Sequence, residues 1–411
     1  MVEGSGSREG SEGQIVWLVG PGLALIAVTY GLARFAYGLF LPEMREAFGL
    51  SPSLLGLIGA GSYLGYGFTI VVSLIYTSKM GPRWMAVAAG LVAVVGMVVV
   101  AGAPAAWVLA LGVLVAGSST GLASPPMGEA VARSIQRNLQ DRANALINSG
   151  TSVGVALSGP ATLLLTGQWR IAWAVFAFVG IVVVIWNAAI MPRRFVVNRD
   201  DLESSEPRAS NDSEASGAWF SYLMGTRVRH RSLPLFVAAF GIGFASAVYW
   251  TFSRELVIQA GDLNEAGSTF FWTVIGVSGL VGGAAGDLVR RFGLTVVLRG
   301  TLFSMATAIA LLPLAVGVVP LAYASAALFG STYIMLTGVI LVWSVTIFHE
   351  RPSAGIGAGF LMIALGQAVG SPVAGTLTEA VGYIASFFAF AAAAVLTALV
   401  RPHKLDADAS E

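Results

Sequence analysis

Arg34 lies inside the first long apolar run, 16–41, and is the only charged residue that the sequence places well within such a run. A guanidinium in hydrocarbon costs ~2.5–3.5 kcal/mol on insertion scales, so the side chain is expected to face a water-filled cavity or a partner, and function is the default reading. Tyr30, four residues before it, and Tyr37, three after, share its helical face and could orient a ligand. No acid stands at similar depth in another run to neutralise it. The planar fork of Arg matches a carboxylate, so the expected ligand is an anionic group. The competing reading has Arg34 snorkelling to the nearer membrane face or pinning two helices.

Glu129 is a second titratable candidate. It follows Pro125 and Pro126, which kink its helix, and precedes Arg133 by four residues. A buried carboxylate there could take up a coupling proton, whereas an i,i+4 ion pair at a helix end needs no function. Both readings stand. Asp287, close to Arg290 and Arg291, reads as an ion-pair member.

Other chemistries lack their residues. There is no cysteine, and His230, His349 and His403 are scattered outside the apolar runs, which argues against a metal site, a disulfide framework and a thiol nucleophile. The only lysines, Lys79 and Lys404, follow Ser78 and His403, so no phosphate-binding G-x-x-x-x-G-K-[ST] loop exists and an ATP-driven pump is set aside. No paired acids or Ser/His set occurs at depth. An enzyme is therefore not expected, nor is a cofactor. Basic residues sit in short clusters at the ends of apolar runs, which disfavours nucleic acid as a partner.

The elements that must position these residues are membrane helices. The 411-residue chain is 56% hydrophobic and 11% charged, less than half of the ~25% charge of an average soluble protein. Apolar runs of spanning length fall at 16–41, 54–77, 84–103, 106–131, 143–166 and 170–191, then at 233–256, 267–289, 295–316, 319–345, 355–378 and 382–400. Lipid offers the backbone no hydrogen-bond partner, and these runs are about twice the ~10 residues of a barrel strand, so they are helices. With the N-terminus in the cytoplasm, nineteen Lys and Arg residues face inward and only Arg45, Arg170 and Arg254 face outward. This positive-inside bias predicts an inner-membrane protein with both termini cytoplasmic.

The expected organisation is a disordered N-terminus (1–15), a six-helix bundle (16–194), a cytoplasmic linker (195–231), a second six-helix bundle (232–401) and a tail (402–411). The linker is Ser-, Asp- and Glu-rich over Asp200–Ser216 and then carries Trp219, Phe220 and Tyr222 before Arg227, Arg229 and Arg231, which suits a short interfacial helix. The halves repeat at an offset of 212 residues: Gly31, Tyr37, Phe40 and Glu43 match Gly243, Tyr249, Phe252 and Glu255, and Gly81 matches Gly293. Ser119 and Thr120 match Ser331 and Thr332, and Gly154 and Pro160 match Gly366 and Pro372. Parallel six-helix repeats place a substrate site near mid-membrane between the halves.

Six plus six helices, a polar central linker and this repeat resemble the major facilitator superfamily over essentially the whole chain. The family's loop between its second and third helices reads G-x-x-x-D-R-x-G-R-R/K; here Lys79, Gly81 and Arg83 keep the basic residues and the glycine, with Ser78 in place of Asp. The second-half copy keeps Gly286, Arg291 and Gly293 but has Arg290 in place of the acid. Gly150, Gly154, Gly159 and Pro160 look like the Gly- and Pro-rich motif of antiporters in this superfamily, or simply let helices pack closely. The string from Gly31 to Tyr37, followed by Pro42 and Glu43, resembles a bacterial branch of mostly unknown substrate.

The resemblance implies alternating access, with the first, fourth, seventh and tenth helices lining the cavity. Ser118, Thr120, Ser124, Tyr249, Trp250, Ser331, Thr332, Tyr333 and Trp343 become lining candidates, joined by Gln367 in the eleventh helix. The expectation is a monomeric secondary transporter in membrane lipid, moving a small organic anion with a coupling proton. The alternatives are a drug or lipophile efflux antiporter and, from another class, a membrane-embedded enzyme or receptor.

Overall fold

A computed structural model describes residues 17–165, 167–191, 226–259, 263–348 and 352–402, and nearly all of them are helical. The expected tails, the acidic linker and the interfacial segment before Arg227 lie outside the described residues. The first half contains α1 (Trp17–Phe48), α2 (Pro52–Met80), α3 (Pro82–Ala101), α4 (Ala106–Ser134), α5 (Arg137–Leu164) and α6 (Trp169–Ile190). The second contains α7 (Thr226–Gln259), α8 (Glu265–Phe292), α9 (Leu294–Leu314) and α10 (Val319–Ile347). Helices α11 and α12 occupy Pro352–Ala398 and are separated by Gly382, whose φ of 85° breaks the run. Among the described residues this gives twelve helices in two sets of six, ten stretches of which are long and apolar enough to cross a membrane with α11 and α12 counted as one.

Local chemistry sets the helix ends. Ser51 caps α2, its hydroxyl accepting from the Leu54 N–H, with Pro52 at the first helical position; Asn264 caps α8 by accepting from the Gly267 N–H. Gly81 and Gly293, the matched loop glycines, share a backbone that favours glycine, with φ of 80° and 82°. The repeat therefore holds at the level of single dihedrals.

Glycines also fix how close the helices come. A Cβ on Gly154 would strike the Ala27 carbonyl and one on its mate Gly366 would strike the Phe240 carbonyl, so α5 on α1 and α11 on α7 pack backbone to backbone in both halves. Gly150 abuts the Leu23 carbonyl, and Gly159 abuts Thr273 of α8. The Gly-rich pattern of α5 thus has an observed packing role. The halves meet through α1 against α7, α2 against α11 and α5 against α8.

Helix α1 departs from regular geometry in its middle. Ala27–Phe35 forms a wide π-helical stretch in which the Ala36 N–H reaches back to the Gly31 carbonyl. Such stretches are uncommon and recur at functional sites. This one carries Tyr30 and Arg34. The helix then runs on to Phe48, beyond the expected end at Leu41, and brings Glu43 and Arg45 into the folded bundle.

Candidate functional site

Arg34 is 4% exposed, lies midway along α1 and reaches across to the other half. One Nη donates to Oε1 of Gln367 on α11, whose amide nitrogen donates to the Tyr333 hydroxyl of α10 at 3.1 Å. Nε is buried with no hydrogen-bond partner. Among the described residues no carboxylate pairs with Arg34. Its charge is instead spread over aromatic faces: the guanidinium carbon lies 4.3 Å from the ring centre of Tyr66, 4.8 Å from Phe35, 4.9 Å from Tyr63 and 5.7 Å from Tyr30. Desolvated cation–π contacts each contribute about 0.5–2 kcal/mol, so the rings offset part of the cost of the buried charge without cancelling it.

The surrounding polar groups form a short chain. The Tyr30 hydroxyl sits 2.6 Å from Ser124 Oγ on α4 and 3.4 Å from the Tyr66 hydroxyl. Trp250 of α7 stacks on Phe35 with centroids 4.0 Å apart and meets Tyr333 edge-on at 5.1 Å, its indole N–H buried without a partner. Arg34, Tyr30, Ser124, Trp250, Tyr333 and Gln367, drawn from both halves, are thus brought together. Tyr63 and Tyr66, absent from the sequence-based candidates, complete the cage; their i,i+3 spacing in α2 was the available signal.

The other candidates are used elsewhere. The Tyr37 hydroxyl donates to the Leu55 carbonyl at 2.8 Å. Tyr249 lies inside the second half, stacked 3.8 Å from Phe329 and hydrogen-bonded to Ser325. Ser118, Ser331 and Thr332 bond to carbonyls of their own helices, Thr120 bonds to the Thr29 carbonyl at 3.3 Å, and Trp343 is buried. Glu129 forms an ion pair with Arg133, with side-chain exposures of 22% and 46%. In the loop motifs, Lys79 is exposed, Arg83 donates to the Met191 carbonyl and Arg290 pairs with Asp287. Arg291 sits over the Phe292 ring.

Besides Arg34, the described residues bury further charge near one end of the bundle, which the apolar runs alone do not single out. Arg254 of α7 has a fully buried side chain; one Nη donates to both carboxylate oxygens of Glu43 on α1, at 2.7 and 2.8 Å, and to the Leu39 carbonyl. Its Nε donates to Ser268 Oγ at 3.2 Å. Beside it Arg45 of α1 pairs with Glu255 of α7, whose side chain is 4% exposed and also accepts from Gln259 at 2.7 Å. Glu43 and Glu255 are the acids matched by the 212-residue repeat, so each half presents its acid to an arginine of the other. The α2 N-terminus adds a third tie, the Ser53 N–H donating to Glu379 at 3.1 Å. Toward the opposite end the described contacts between α2 and α11 are apolar, Ile70 and Leu74 meeting Ala364 and Leu361.

With this geometry in hand, the comparisons are consistent. The family model for the Major Facilitator Superfamily matches residues 23–359. A Pseudomonas aeruginosa protein named transcription regulatory protein OpdE is 27% identical over 354 residues, 84% of each chain. Three transporter structures share the fold. The E. coli xylose transporter XylE, in a partially occluded inward-open conformation, has a TM-score of 0.74 at 15% identity, over 94% of this chain and 97% of its own. The nucleoside transporter NupG gives 0.71 at 12% over 93% and 98%, and the human organic anion transporter MFSD10 gives 0.64 at 15% over 95% and 99%.

Proposed function

Because the chain belongs to the major facilitator superfamily, we propose that it is a secondary transporter that carries a small organic anion by alternating access, with Arg34 as the anion-binding group. The observation that carries this reading is the buried Arg34 guanidinium, which has a neutral amide as its hydrogen-bond acceptor and no carboxylate partner among the described residues. A buried structural arginine in a membrane helix is normally neutralised by an acid, as Arg254 is by Glu43. Here the compensating charge is left to the ligand. Tyr30, Ser124, Tyr66 and Trp250 supply hydroxyl and indole groups within the same cluster. The aromatic surroundings favour an anion with an apolar body over a sugar, which needs many convergent hydrogen bonds.

In the topology that the positive-inside bias supports, the protein sits in the plasma membrane with both termini cytoplasmic, and the Glu43–Arg254 end faces outward. Proton coupling through Glu129 belongs to the same reading, since Glu129 is the acid of the inner half of α4 and is partly buried. The Pseudomonas relative is named a transcription regulatory protein, which favours a regulatory role as the one rival; on this site that rival would be a sensor that binds the anion without moving it.

The test is uptake and binding of labelled monocarboxylates by purified protein in vesicles. A charge-assisted pair contributes about 1.5–3 kcal/mol, so Arg34→Ala is expected to weaken binding about ten- to a hundredfold, and Arg34→Lys to fail to restore it. Unchanged affinity in folded Arg34→Ala, or a neutral or cationic substrate, overturns the reading. Binding without flux assigns the sensor.

A further inference from the structure

We propose that Gln367 is a built-in substitute for the substrate: its side-chain carbonyl occupies the anion's place on the Arg34 fork in the empty transporter, and the arriving carboxylate displaces it. The inference rests on the organic-anion reading above and adds the residue that competes for the site.

Four observations support it. Gln367 Oε1 accepts the hydrogen bond that Arg34 donates through Nη, so any anion engaging that edge of the fork must compete with it. The acceptor is neutral, and a carboxylate forms the stronger, charge-assisted bond, so exchange runs toward the ligand. The amide is fully buried and steadied from its far side by the Tyr333 hydroxyl at 3.1 Å, while Gly366 and Gly370 seat this part of α11 on the α7 backbone. Gln367 is therefore held at the guanidinium with little freedom to lose. Finally, Arg34 belongs to the first half and Gln367 and Tyr333 to the second, so the bond is a buried polar tie between halves, midway along α1. Displacing it removes that tie at the moment the substrate is bound, which couples binding to release of one half from the other. A neutral amide suits this use: with no ligand it shields the charge, and it can still be displaced, whereas a glutamate there would neutralise Arg34 permanently.

The experiment compares Gln367→Glu and Gln367→Met with the wild type, measuring equilibrium binding of benzoate and pyruvate to purified protein whose folding is checked by thermal unfolding and gel filtration. Gln367→Glu keeps the shape but installs a resident carboxylate, and is expected to weaken benzoate or pyruvate binding about ten- to a hundredfold. Gln367→Met keeps the length and removes the acceptor, and is expected to bind about two- to tenfold more tightly, because the ligand no longer competes with an internal hydrogen bond. If Gln367→Glu does not fold, the Met variant decides alone. A Met variant that binds no more tightly than the wild type, or a folded Glu variant of wild-type affinity, overturns the proposal and leaves the Arg34 reading intact. If neither the wild type nor any variant binds a monocarboxylate, the anion reading fails and this proposal fails with it.

Discussion

The pairing of Glu43 with Arg254 makes a quantitative prediction about the conformational equilibrium. Glu43→Gln keeps the shape of the side chain and removes its charge, leaving an Arg254 guanidinium whose side chain is 0% exposed and whose remaining partners are the Leu39 carbonyl and the Ser268 hydroxyl. Removing one partner of a buried pair costs about 3–5 kcal/mol, because the other charge is left uncompensated. That cost applies only while α1 and α7 are in contact; once the halves part at this end, water reaches Arg254 and the penalty is relieved. The conformation closed at this end should therefore lose population relative to the open one by about two to three and a half orders of magnitude. Arg45→Gln should shift the balance less: Arg45 is 33% exposed, and Glu255 keeps the Gln259 amide.

The chain has no cysteine, so spin labels can be placed without background at Ala47→Cys and Ala266→Cys, exposed positions on α1 and α8 at this end. Pulsed electron–electron spacing distributions should show one short distance for the parent and a dominant longer one for Glu43→Gln. Removing both charges, in Glu43→Gln with Arg254→Gln, should restore much of the short distance, since no buried charge is then stranded. The reasoning is refuted if the single variant, folded and inserted, keeps the parent distribution, or if the double variant is as open as the single.

Two further outcomes are expected. Glu129→Gln should abolish proton-driven accumulation while sparing substrate exchange in vesicles; a variant that accumulates normally assigns Glu129 to its ion pair with Arg133 alone. Reporter fusions at Asp212 and Ser410 should be active only with a cytoplasmic reporter, and an external signal at either position would reverse the assignment of the Glu43–Arg254 end to the outer face.

What could be read before folding is what the lipid imposes on composition. Twelve runs, two halves and the matched loop glycines follow from hydrophobic length, backbone satisfaction and left-handed dihedrals, each of which acts on one segment at a time. Partner choice is different in kind. Glu43 and Glu255 were visible as a repeat, but that each reaches an arginine of the other half depends on how α1 and α7 cross, which no single segment encodes. Burial of Arg254 was not legible because its apolar run ends near residue 256; the helix continues to Gln259, and α1 covers that stretch.

Helix phase explains the mixed outcome around Arg34. The expectation that Tyr30 and Tyr37 flank it assumes a regular turn of ~3.6 residues. The π-helical stretch Ala27–Phe35 has wider turns, so side chains beyond it are rotated relative to those within it. Tyr30, inside the stretch, keeps its place against the guanidinium, while Tyr37, just past it, turns to the Leu55 carbonyl of α2. The vacated side of Arg34 is filled by residues of other helices: Tyr63 and Tyr66 from α2, and Gln367 from α11. One local change in helical pitch thus turns a site that would be built on a single helix into one shared between the halves, which is the arrangement that lets a bound ligand bias their relative position.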